Sequence, residues 1–183
     1  MTSLKVLGLS GSLRQSSRNT ALLREAIRLI GPCEASYGDL HLPLYDGDLE
    51  DRVGLPPEVI ALNDLIRSAD AIVIATPEYN KMIPGVLKNA LDWISRDKPQ
   101  PLAGKPVAII SAAGRSGGEV AQFTLRHALA SFDTNLLQGS AYVVTGAATA
   151  FDEQDRLTTD AQINGLTKLM DRLRAAAQTR PQT

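Results

Sequence analysis

The stretch Lys5-Val-Leu-Gly-Leu-Ser10-Gly-Ser-Leu-Arg14-Gln-Ser-Ser17-Arg-Asn19-Thr20 decides how the chain reads. From Leu4 to Leu9 it is apolar and β-prone, and Gly8 lets another backbone come close. Gly11 ends the run. Ser17, Asn19 and Thr20 are each good N-cap residues before the helical pattern that opens at Ala21-Leu22-Leu23. A helix start carries unpaired N–H groups and the positive end of the dipole, and both favour an anion. Ser10, Ser12, Ser16 and Ser17 add hydroxyl donors, while Arg14 and Arg18 add charge. The segment reads as a strand, a phosphate-accepting loop and a helix start; the plainer alternative is a turn lined with solvated serines. Three better-known motifs fail here. Gly8 and Gly11 have the wrong spacing for G-x-G-x-x-G, no G-K-[ST] is present, and Gly8-Leu9-Ser10-Gly11-Ser12 lacks the second glycine of a nucleophile elbow.

Working outward, 183 residues suit one domain, expected over residues 1–177, with a frayed tail at 178–183. Nineteen Lys+Arg against twenty Asp+Glu leave no basic excess, which argues against a nucleic-acid binder. Cys33 is the only cysteine, so an intrachain disulfide is impossible, and the simplest compartment is a reducing cytoplasm. Leu4 to Leu9 is too short for a signal h-region, and no apolar run approaches the roughly 20 residues of a membrane span.

Strands are expected at Leu4–Ser10, Glu34–Leu40, Asp70–Ala75, Val107–Ser111 and within Asn135–Val144. Helices are expected at Asn19–Ile30, Pro57–Ser68, Pro84–Ser95, Glu119–Ser131 and Asp160–Ala177. The stretch from His41 to Pro56-Pro57 reads as a loop. Five alternations of strand and helix call for an α/β fold: a doubly wound, five-stranded parallel sheet between two helical layers. With five strands the flavodoxin-like order 2-1-3-4-5 is expected, with the ligand beyond the carboxyl ends of strands one and three, where the order reverses. The loops at that point are Ser10–Arg18 and Pro77–Lys81, with the glycine-rich Ala112–Gly118 beside them.

A phosphate at one end and a flat platform at the other describe a mononucleotide, and FMN fits best. Backbone amides of the second and third loops facing the pyrimidine edge of the flavin would stabilise the charge that develops on reduction. The flavin carries the chemistry, so no catalytic side chain is required, in keeping with only two histidines, His41 and His127.

Three segments carry a family resemblance. They are Gly11-Ser-Leu-Arg14 with Ser17, Asn19 and Thr20; Pro77-Glu78-Tyr79-Asn80; and Ile83-Pro84-Gly85 running through Leu87-Lys88-Asn89-Ala90 to Asp92-Trp93. Together with the strand that runs into a Gly-rich loop, they resemble the NADPH-dependent FMN reductase family, flavodoxin-fold enzymes that include quinone, azo-dye and chromate reductases. The resemblance implies an FMN enzyme that takes a hydride from NADPH or NADH and passes electrons to small-molecule acceptors in a ping-pong cycle through flavin N5. It also implies a homodimer or homotetramer. By position, Ser10, Ser12, Arg14, Ser17, Asn19 and Thr20 would surround the phosphate. Pro77, Glu78, Tyr79 and Asn80 would line the flavin, and Ser111 and Gly114 would approach it from the third loop. That loop departs from the family's common G-G-x-G-G, because Arg115 stands within Gly114-Arg115-Ser116-Gly117-Gly118. Arg115, like Arg14 and Arg18, could meet nicotinamide-nucleotide phosphates, which favours NADPH.

Single residues carry competing readings. Glu78 reads as a residue that pairs across a subunit interface more than as a proton donor, and Lys88 with Asp92 reads as a helical i,i+4 pair. Trp93 reads as a core or interface anchor, His127 as a helix-face residue and Cys33 as a small apolar group. Asp152-Glu153-Gln154-Asp155 lacks the glycine and final glutamate of a calcium loop, so no metal site is expected. A flavodoxin-like carrier without turnover of its own is the main rival, but such carriers tend to be strongly acidic and this chain has a net charge of −1. A non-redox phosphate-binding module or hydrolase is the other.

Overall fold

A computed structural model describes residues 3–179. The strands β1 (Lys5–Ser10), β3 (Ala71–Ala75) and β4 (Pro106–Ala112) form its centre, and every residue of β3 and β4 is buried. Strands covered on both faces read as continuous apolar runs, as Ala71-Ile-Val-Ile-Ala75 does. All pairings are parallel, in the order β2-β1-β3-β4-β5, with β2 at Glu34–Gly38 and β5 at Asn135–Leu136. The last position is filled twice: β5 pairs with the start of β4, and β6 (Tyr142–Val144) pairs with its end. The single last strand expected within Asn135–Val144 is thus two short ones, because the chain leaves the ladder after Leu137 donates to the Val107 carbonyl and rejoins it at Tyr142.

Helices α1 (Arg18–Leu29) and α6 (Asp160–Gln178) cover one face of the sheet. Helices α3 (Pro57–Ser68), α4 (Gly85–Arg96) and α5 (Glu119–Leu129) cover the other. Gly8 is where α1 comes closest: a Cβ there would lie 3.0 Å from Ile27 Cδ1 and 3.1 Å from Leu23 Cδ2. Two cations close helix ends. The Arg174 guanidinium donates to the carbonyls of Ile30 and Pro32, closing α1, and the Lys105 ammonium donates to those of Arg67 and Ala69 at the end of α3. On α1 the Glu25 carboxylate, 1% exposed, accepts from Arg28 and Arg156, which draws the 151–157 segment onto the helix.

Three further expectations need correction. The loop from His41 to Pro57 contains a short helix, α2 (Gly47–Val53), capped by Asp46. It buries no residue, so the apolar period that betrays a helix is missing from its sequence. Its seat is tertiary: Trp93 Nε1 and the Asn89 amide donate to the Pro43 carbonyl, and Glu50 pairs with Arg96. The fourth expected helix ends at Leu129 and continues to Phe132 only as a 3-10 turn. Gln178, assigned to the tail, closes α6; residues 180–183 lie outside those described. Trp93 is fully buried, and Lys88 meets Asp92 at 2.6 Å, as expected of both.

The register sets up the site. Ser10 pairs with Ala75, and Ala75 with Ile110, so the central strands end nearly level and their loops emerge side by side.

Candidate functional site

The first loop, Gly11–Ser17, is drawn onto β3: the Gly11 amide donates to the Ala75 carbonyl at 2.8 Å. A Cβ at Gly11 would sit 3.3 Å from Pro77 Cδ, so glycine lets the first loop abut the second. The Ser10 and Thr20 hydroxyls meet at 2.7 Å, joining the strand end to the first helical turn. Ser17 proves to be the N-cap of α1, accepting from the Thr20 amide at 3.3 Å. The amides of Arg18 and Asn19, ahead of the first intrahelical bond, have no acceptor among the described residues. Ser12 accepts from the Arg14 amide. Arg14 is exposed and has no ion pair among the described residues. No acidic residue precedes Glu25 in the chain. The donor set is therefore hydroxyls, amides and one guanidinium, and the loop itself carries no carboxylate.

Two residues expected beside these donors are directed elsewhere. Asn19 is buried, its amide donating to the Ala112 carbonyl at 2.8 Å and accepting from the Ala112 N–H at 2.9 Å, as a strand neighbour would. It clips the start of α1 to the start of the third loop. The Arg18 guanidinium pairs with Asp155 at 3.1 Å and lies 5.6 Å from the Phe151 ring centroid, which faces it away from the loops.

The second loop leaves the sheet through buried Thr76 and Pro77 and folds back on itself. Tyr79 and Met82 exchange both backbone hydrogen bonds, at 3.1 and 3.0 Å, across Asn80 and Lys81. Both central residues are left-handed, with φ of 51° and 64°, which makes this a type I′ turn. Tyr79, Asn80, Lys81 and Met82 are all exposed. Glu78 is not: its carboxylate accepts from Lys81 Nζ at 3.1 Å and from the Val120 and Ala121 amides at 3.1 and 3.3 Å. Burial opposes its charge, but Lys81 and the two amides outweigh burial and hold the carboxyl below its usual range.

In the third loop, Ser111 is fully buried and works from beneath. Its hydroxyl donates to the Gly117 carbonyl at 2.7 Å and accepts from Gln122 Nε2 at 2.8 Å. Gln122, 1% exposed, also donates to the Tyr142 carbonyl, so one side chain holds the loop, α5 and β6. The sequence reading missed Gln122, yet it stands in register with Leu125 and Leu129 on an otherwise apolar helix face, and that misplacement is a signal. Gly117 and Gly118 have φ of 63° and 89°, and a Cβ at Gly117 would come within 2.7 Å of Val143 Cβ. Above them Gly114 and Arg115 are exposed, and a Cβ on Gly114 would meet nothing within 4 Å.

A parallel sheet of this order, with a hydroxyl-rich loop at its first crossover and a glycine-rich loop beside the switch point, is the flavodoxin-like α/β fold. Residues 4–149 match the NADPH-dependent FMN reductase family, and the chain belongs to it. It is 47% identical over 160 residues to an NAD(P)H-dependent FMN reductase of Pseudomonas aeruginosa, covering 86% of each chain. A quinone reductase of Escherichia coli is 45% identical over 139 residues, 73% of each. Among solved structures, the flavoenzyme NAD(P)H:(acceptor) oxidoreductase FerB of Paracoccus denitrificans superposes with a TM-score of 0.85 at 30% identity, covering 96% of this chain and 97% of that one.

Proposed function

We propose that the chain is an NAD(P)H-dependent oxidoreductase that binds FMN and reduces small-molecule acceptors such as quinones. Family membership sets the class, and the observation that carries the reading is the open donor set at the start of α1. The hydroxyls of Ser10, Ser12, Ser17 and Thr20, two unclaimed amides and Arg14 suit a phosphate dianion, and the loop carries no acidic side chain of its own. The other end fits as well: Gly114 leaves open space, and Tyr79 and Asn80 stand exposed on the second loop.

In this reading the first loop holds the phosphate and so fixes where the ring end lies. Pro77, Tyr79 and Asn80 flank the ring from one side and the Gly114 backbone from the other. Asn19, Glu78 and Ser111 keep the three loops in register from below. FMN, when bound, supplies the hydride acceptor and the route for electrons to the final acceptor. Arg14 and Arg115, the two exposed arginines at the rim, favour a nicotinamide nucleotide with an extra phosphate, hence NADPH over NADH; Arg18, paired with Asp155, contributes less.

The working unit is proposed to be a homodimer or homotetramer in a reducing cytoplasm. Tyr79, Met82, Val120 and Phe123 support the assembly, since all four are exposed on the second loop and the first turns of α5, Phe123 to 68%. Among the described residues no helix is long and apolar enough to cross a membrane.

The test is the visible spectrum of the purified protein, followed by anaerobic titration with NADPH and then NADH. Flavin absorbance that bleaches with NADPH and returns on adding a quinone is expected. A colourless protein that gains no flavin absorbance on incubation with FMN overturns the reading. Light scattering, repeated on Phe123→Glu, tests the assembly: the variant is expected to run as a smaller species.

A further inference from the structure

We infer that Glu78 is a positioning residue of the flavin site, capping α5 from a distant loop and so fixing the Tyr79–Met82 turn against the glycine loop. This rests on reading those two loops as the ring end of the FMN site. Its own geometry begins with a missing cap. The N-cap of α5 is Gly118, which has no side chain to offer. The amides an N-cap side chain ordinarily takes are those of the second and third helical residues, here Val120 and Ala121. One Glu78 oxygen accepts from both, across 42 and 43 residues of sequence. The other oxygen accepts from Lys81 Nζ and, at 3.5 Å, from the Ser116 hydroxyl.

A glutamate beside a lysine in a surface loop is ordinarily a weak local pair. This one is 8% exposed and touches both loops. None of the side chains from Tyr79 to Met82 is buried, so apolar packing does not anchor the turn between Pro77 and Ile83. The Glu78 carboxylate is what joins it to the rest of the fold. A negative charge at the start of α5 also suits that helix's dipole, which strengthens the tie. Glu78 therefore acts on the flavin through the spacing of two loops, without needing to touch the ring.

The experiment compares the full-length protein with Glu78→Ala and Glu78→Gln in two measurements. The first is amide exchange of flavin-free protein at Val120, Ala121 and the 79–82 turn. Alanine is expected to raise exchange there about tenfold, with a smaller rise for glutamine, whose carbonyl still accepts from the two amides. The second is the dissociation constant of FMN and of riboflavin, which lacks the phosphate. Both ligands are expected to weaken by the same factor, about tenfold for alanine, because only the ring end is loosened. A global loss of stability would leave these constants unchanged below the melting transition. Unaltered exchange overturns the inference, and so does a loss confined to FMN, which would put Glu78 at the phosphate end. Should Glu78→Ala not fold, Glu78→Gln decides by the same signs. If the wild-type protein binds neither flavin, the functional reading fails, and the exchange difference alone still decides whether Glu78 joins the two loops.

Discussion

Two helices begin at the carboxyl ends of central strands, and they begin in opposite ways. At α1 the cap is local and neutral: Ser17 takes one amide, two more are unclaimed among the described residues, and no acid stands near in sequence. At α5 the cap is imported and charged: Glu78 takes two amides, while Glu119 donates to the Ser116 carbonyl and Gly118 to the Ser116 hydroxyl. Both starts present the same dipole. What separates them is whether the protein has already supplied the negative charge. In the proposed function the start of α1 takes a ligand's anion, while that of α5 is closed and serves as a wall.

The largest expected effect comes from making the first helix like the second. Aspartate caps a helix as well as serine does, so Ser17→Asp should leave thermal stability within about 0.5 kcal/mol of wild type. Its charge would occupy the place proposed for the phosphate. FMN affinity is expected to fall by at least about 100-fold, with riboflavin affinity unchanged. Titration calorimetry with both flavins checks this, and equal losses for the two would show that the phosphate lies elsewhere. A smaller effect is expected of Arg14→Ala, which removes one exposed cation and leaves the amides and hydroxyls in place. FMN should weaken about tenfold and riboflavin not at all.

Acid separates the two starts without a mutation. A phosphate monoester loses its second charge near pH 6, whereas Glu78 is held below the usual glutamate value of about 4.3. A carboxyl with a depressed folded pKa contributes stability above its unfolded value and loses it only as pH falls through the folded one. Between pH 7 and 5, FMN should therefore weaken by a few-fold, while exchange at Val120 and Ala121, corrected for its intrinsic pH dependence, stays constant. Neither His41 nor His127 lies in the three loops to complicate this window.

The open start was legible in the sequence and the closed one was not. Ser17, Asn19 and Thr20 announce a helix start locally, and Ser17 is the cap. The apolar runs at Ala71–Ala75 and within Pro106–Ala112 disclose central strands because burial on both faces demands it. Glu78 could be read as pairing across a subunit interface, but its acceptance from Val120 and Ala121 within the chain depends on two strand ends lying level. Asn19 shows the same limit: its identity suggested a cap, whereas its side chain pairs with Ala112, 93 residues away. The helix at Gly47–Val53 escaped notice because it buries nothing, so its sequence carries no period.

The smallest effect concerns how the closed start is built. Lys81 is a non-glycine residue in the left-handed region, at the second central position of a turn type that favours Asn-Gly. That conformation costs an ordinary side chain roughly 1–2 kcal/mol, and glycine far less. Against this, Lys81→Gly loses an ammonium that is 72% exposed, in the range where ion pairs contribute about 0–1 kcal/mol, and glycine adds entropy to the unfolded chain. The strain relieved slightly exceeds the sum of these losses, so chemical denaturation should show a gain of roughly 0.5 kcal/mol. Glu78 keeps both amides in this variant, so riboflavin affinity should not change. A weaker riboflavin complex would mean that Lys81, rather than the start of α5, sets the position of Glu78, and the contrast between the two helices would then rest on the turn.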